Sequence, residues 1–209
     1  MTTVFAARAT IAAAAVSLVA LIALHILKPE LHPSRTMISR YALGPCGWIM
    51  ALCFAAFGMA SGSLAVAMVP HVRALGGRIG IALLLTAAVG LVMAARFPMD
   101  PVNTPRAQMS HSGRMHSVAF LLGVPSMVLA VLVLSFALRG QLYAGWLLMT
   151  IAAVVWISLI VMIAIMIKVG PGRPPDPNGP ERFVGLPNRL LMVAYAVWLM
   201  IAAWPVARW

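Results

Sequence analysis

Carboxylates are nearly missing from this chain. Among 209 residues only Glu30, Asp100, Asp176 and Glu181 are acidic, and with 15 Lys+Arg the charged residues come to 9%. A soluble domain carries roughly a quarter charged residues. A surface this poor in charge could not stay solvated, which excludes a water-soluble enzyme. No carboxylate is expected inside an apolar run, and proton relays and cation carriers keep one at membrane depth. Cysteine is equally scarce. Cys46 and Cys53 lie in one apolar run, on one expected helix face and about two turns apart, too far to bridge each other. A disulfide-stapled secreted module is therefore excluded. Also missing are a phosphate-cradling loop, a dinucleotide fingerprint, a nucleophile elbow and an HExxH pair.

What is there is apolar. Hydrophobic residues make up 63% of the chain, against about 45–50% in soluble domains, so a disordered chain is excluded as well. The net charge of +11 is spread singly over the ends of apolar runs, where Lys and Arg meet lipid headgroups. No basic block with interleaved aromatics exists, and no nucleic-acid partner is expected.

Runs of about 20 apolar residues, the length that crosses a bilayer, lie near Ala9–Leu27, Pro45–Val69, Ile79–Ala95, Met115–Leu138, Leu142–Ile167 and Leu190–Val206. The expected fold is all-α, a polytopic membrane bundle of six transmembrane helices, in a single domain over residues 1–209 of a multi-pass cell-membrane protein. The first run is read as a retained helix, since Lys28-Pro29-Glu30 follows it without a small-residue cleavage site. Gly58 and Gly62 fit the small-xxx-small pattern of close helix contact, within the chain in preference to a homodimer. The two halves show no repeat, which speaks against a carrier built from matched halves.

Six spans make the loops alternate between two faces. One face receives Lys28–Gly44, Arg96–Arg114 and Lys168–Arg189, all long; the other receives only short turns and both termini. All four acids, four of the five histidines and ten of the 15 basic residues fall on the long-loop face. Counting Lys and Arg near the spans puts that face in the cytoplasm. Any chemistry belongs there.

Arg96-Phe97-Pro98-Met99-Asp100-Pro101 closes the third run, and Ser110-His111-Ser112-Gly113-Arg114-Met115-His116 opens the fourth. Consecutive antiparallel helices would bring Asp100 and His116 to one membrane level as a candidate acid/base pair. Arg189 enters from the same face, either as an ion-pair partner of Asp100 or as a clamp for an anionic headgroup. Arg96, Arg114, Arg189, Asn188 and Ser39 are the ligand-binding candidates. His32, Asp100, His111 and His116 would need two loops folded together to hold zinc, and only His25 and His116 could face each other across a haem. No metal or other cofactor is expected.

The stretches His32-Pro33-Ser34, Ile38-Ser39-Arg40-Tyr41, Phe97-Pro98-Met99-Asp100, Gly113-Arg114-Met115-His116 and Gly185-Leu186-Pro187-Asn188-Arg189 occur in this order over nearly the whole chain. In this the chain resembles an uncharacterised six-span membrane family of bacteria and archaea, domain of unknown function nine-nine-eight. The resemblance implies the six-helix fold and the polar cluster and no reaction. Three functions follow as expectations: binding of an anionic lipid-like amphiphile by Arg96, Arg114 and Arg189, a membrane-embedded enzyme using Asp100 and His116 on a lipid-like substrate, or a structural subunit with a membrane-protein partner or a second copy.

Overall fold

The computed structural model describes residues 1–101, 104–140, 145–169 and 183–208. Its elements are α1 (Thr2–Leu27), α2 (Gly47–Met68), α3 (Leu75–Arg96), α4 (His111–Leu138), α5 (Gly145–Val169) and α6 (Gly185–Ala207), with short 3-10 turns at Ile38–Ala42, Val69–His71 and Arg106–Gln108. All six helices are long and apolar enough to cross a membrane. In lipid every backbone N–H and C=O must be satisfied internally, and the helix does so within one segment. Asp176, Glu181 and the Pro-rich stretch 171–180 lie outside the described residues.

Most helices run past the apolar stretches that announced them. α1 starts at Thr2, ahead of Ala9, and α4 starts at His111, ahead of Met115. Hydropathy marks the part of a helix that meets lipid, whereas the hydrogen-bonded ladder continues until something stops it. Arg8 shows the extension in use: its Nε donates to Ala207 O at 3.1 Å, tying the start of α1 to the end of α6.

Each helix packs on its neighbours in sequence, and α6 closes the ring against α1. α2 and α6 also touch across the middle, and 61% of the most apolar window of each is buried. The α4–α5 contact is the sparsest between consecutive helices, the α3–α4 contact the most extensive. The latter rests on two glycines. A Cβ on Gly90 would stand 2.5 Å from Gly123 N and 2.8 Å from Ala119 O, so the two backbones approach directly. Gly58 lets α2 approach α3, with a Cβ there falling 2.8 Å from Val92 Cγ2, but at Gly62 the nearest atom is 3.8 Å away. The close contact expected of Gly58 is thus inside the chain, and Gly62 contributes little to it.

Polar side chains tie the helices at depth. Tyr195 Oη and Ser61 Oγ lie 2.7 Å apart and join α6 to α2, with Ser61 donating onward to Phe57 O at 2.8 Å. Trp198 Nε1 donates to Ser135 Oγ at 2.9 Å, and Ser135 donates to Leu148 O, which joins α6, α4 and α5. The cysteines do not share a helix face, because Cys46 stands before α2 in a left-handed conformation. Cys53 is buried and donates to Ser17 O of α1 at 3.4 Å.

Candidate functional site

Two polar clusters lie on the long-loop face, each where a helix end meets a loop. The first begins at the end of α1. Lys28 is only 4% exposed, and its ammonium donates to Tyr41 O at 3.1 Å and to Leu43 O. Carbonyl dipoles satisfy a charge whose burial would otherwise be costly. The loop 28–44 is in effect folded around its own lysine.

Arg189, in the second turn of α6, binds the same loop. Its Nε donates to His25 Nε2 at 2.7 Å, Nη1 to Thr36 O and to Gly185 O at 3.1 Å, and Nη2 to Tyr41 Oη at 3.1 Å. The guanidinium also lies 5.6 Å from the Tyr41 ring centroid, and Tyr41 Oη donates to Leu31 O at 3.1 Å. His25 Nδ1 faces Leu21 O at 2.6 Å. A carbonyl only accepts, so Nδ1 carries the proton, and the Nε2 lone pair is left to receive Arg189. Asn188 completes the join: Oδ1 accepts from Ile38 N at 2.8 Å, and Nδ2 donates to Met162 Sδ of α5 at 3.7 Å. Gly185 N donates to Ser34 O at 2.7 Å, and a Cβ at that position would overlap Pro33 O. All these partners are neutral.

The second cluster staples the end of α3 to the start of α4. Ser110 is the N-cap of α4, its Oγ accepting from Gly113 N at 3.0 Å. Asp100 holds that cap, Oδ2 accepting from Ser110 N at 2.8 Å and Oδ1 from Ser110 Oγ at 2.7 Å. A carboxylate at a helix N-terminus is favoured by the exposed N–H groups there. Ser112 Oγ donates to Pro98 O at 2.8 Å, and His116 Nδ1 donates to Phe97 O at 2.8 Å. The Arg96 guanidinium lies 5.5 Å from the Phe97 ring centroid, and Arg114 Nη1 donates to Met109 O at 3.1 Å.

The expected convergence of Asp100, His116 and Arg189 does not form. Among the described residues Asp100 pairs with no cation and bonds only to Ser110, and His116 is turned to Phe97. The carboxylate caps the first turn of α4, whereas His116 sits in the second. Arg189 is absent from this cluster for a topological reason: α6 packs on α1 and α5 and touches α2, whereas α3 packs on α2 and α4. Asn188 and Arg189 hold the first loop, and Ser39 is half-buried within it with no side-chain hydrogen bond among the described residues. No three of the described His, Cys, Asp and Glu residues gather where they could hold a metal.

Sequence reasoning passed over Thr36, placed His25 and Lys28 only in the inventory of the face, with His25 also a haem candidate, and named Tyr41 and Gly185 only within the stretches that carry the resemblance. The available signal was local: His25 and Lys28 sit three apart at a helix end, and Gly185 and Arg189 four apart at a helix start, so each pair shares a face. These arrangements occur together in a six-span bundle, and a family model described as a protein of unknown function, DUF998, matches residues 11–205. The chain belongs to this family. Comparison with curated proteins and with solved structures gives no match. The multi-pass membrane architecture rests on the six apolar helices, and the family description assigns no reaction. In this member the Gly185–Arg189 stretch joins α6 to the first long loop.

Proposed function

We propose that this multi-pass protein lies in the cell membrane and binds an anionic, lipid-like amphiphile at its long-loop face, with that face toward the cytoplasm. One observation carries the reading. Arg35, Arg40, Arg96, Arg106, Arg114 and Lys168 are exposed on this face and have no carboxylate partner among the described residues. The two acids described there do not neutralise them: Glu30 is exposed, and Asp100 is spent on the α4 cap. A cation at a membrane surface attracts anionic lipid with about 1 kcal/mol. Arg96 and Arg114 are the contacts of choice, since they flank one helix pair, whereas Arg189 is consumed internally and acts by fixing the first loop. The Asp100–His116 geometry does not favour an enzyme, because each side chain is engaged elsewhere.

The test is lipid retention. Native mass spectrometry of the purified protein, titrated with phosphatidylglycerol and phosphatidylcholine, should show the anionic lipid preferred. Arg96→Gln with Arg114→Gln should cut that preference about thirtyfold, at roughly fivefold per cation. Equal retention of the two lipids by the parent protein would overturn the reading.

A further inference from the structure

α4 and α5 separate toward the long-loop face and leave a groove of ≈ 770 Å³ between them. Its walls are apolar throughout, with Phe120, Val124 and Pro125 on α4 facing Trp156, Leu159 and Ile167 on α5. Met162 forms part of the floor, and its sulfur accepts from Asn188, the residue that also holds the first loop at Ile38. The groove is thus continuous with the long-loop face.

Its length fits one leaflet. From Phe120 to Leu129 on α4 the wall spans ten residues, so nine rises of 1.5 Å or about 14 Å, against about 15 Å for half a bilayer core. Its two ends differ in charge. Arg114 precedes Pro125 by eleven residues, close to three turns, and so stands on the groove face of α4 about 9 Å above Phe120. Lys168, at the same end of α5, lies on the face turned away from the groove, about 100° round the helix from Ile167, and both cations are exposed. Neither α4 nor α5 contains an acid, and the deep end at Leu129 and Trp156 carries no charge. A cationic mouth over an apolar slot one leaflet deep is complementary to an anionic headgroup attached to a hydrocarbon chain.

We infer that the α4–α5 groove is the tail site for an anionic membrane lipid, one acyl chain lying between Phe120 and Trp156 with the headgroup at Arg114. This rests on the proposed amphiphile binding and adds where the chain lies and which helix pair selects it. Arg114 acts as the headgroup contact. The deep end accepts only hydrocarbon.

Leu159→Trp fills the slot from α5. Ile163→Trp does the same from a lipid-exposed position that tolerates bulk, should the first variant fail to fold. Phosphatidylglycerol retention is read by native mass spectrometry after delipidation, beside thermal melting of each variant. The expected result is occupancy reduced about tenfold in a variant that melts within a few degrees of the parent. Unchanged occupancy and unchanged anionic preference in a folded variant would refute the groove while leaving headgroup binding at the face intact. Loss of phosphatidylglycerol and phosphatidylcholine alike, from a parent that prefers neither, would refute both the anionic occupant and the proposed function. A dimer that the same variants dissociate would assign the groove to a second copy of the chain and overturn the lipid site.

Discussion

Gly90→Ala tests the closest crossing in the bundle. The added Cβ would fall 2.5 Å from Gly123 N, 2.6 Å from Gly123 Cα and 2.8 Å from Ala119 O. All three are backbone atoms of α4, so no side chain can rotate away, and relief requires the two helices to part along their most extensive contact. Overpacking typically costs about 1–3 kcal/mol, and an immovable neighbour puts this case near the upper end. Alanine returns about 0.5–1 kcal/mol through helix propensity, leaving a net loss of roughly 2 kcal/mol. For a chain of this length that lowers Tm by about 4–8 °C. Gly76→Ala is the control: it lies in the first turn of the same helix, with nothing within 4 Å of its Cβ, and should melt at or slightly above the parent temperature. Thermal unfolding in a mild detergent reads both. Equal melting of Gly90→Ala and Gly76→Ala would refute the direct backbone contact between α3 and α4.

Ser110→Ala removes both the cap of Gly113 N and the Oγ donor to Asp100, and should cost about 1–2 kcal/mol. Asp100→Asn should cost less than that and leave lipid retention unchanged; loss of retention at unchanged Tm would give the carboxylate a role in the site. Trp156 carries a buried indole N–H with no acceptor among the described residues, so Trp156→Phe should be neutral or stabilising by about 1 kcal/mol, since an unsatisfied donor is removed. A Tm drop of several degrees would show that the N–H is used. Single cysteines at Thr3 and Glu30, on opposite ends of α1, should react with a membrane-impermeant maleimide from opposite sides of a sealed vesicle, and labelling from the same side would contradict the six-span topology.

Much of this protein was determined by its sequence alone. Six apolar runs with few charges leave one arrangement for a chain in lipid, because backbone groups there can be satisfied only within helices. Their alternation assigned each loop to a face, and the long-loop face does carry Lys28, His25, Asp100, His116 and Arg189 as expected. What the sequence could not determine was which helix lies beside which. Alternation assigns Asp100 and Arg189 to one face, yet α6 packs on α1 and α5 while α3 packs on α2 and α4. Within the α3–α4 pair, neighbours in sequence did become neighbours in space, but Asp100 found the nearer N–H and hydroxyl of Ser110 before any imidazole. The pairing of Arg189 with His25, Thr36 and Tyr41 joins positions up to 164 residues apart. No periodicity reports such a contact, because it depends on helix order and on the path of a loop, both set by packing once the helices exist.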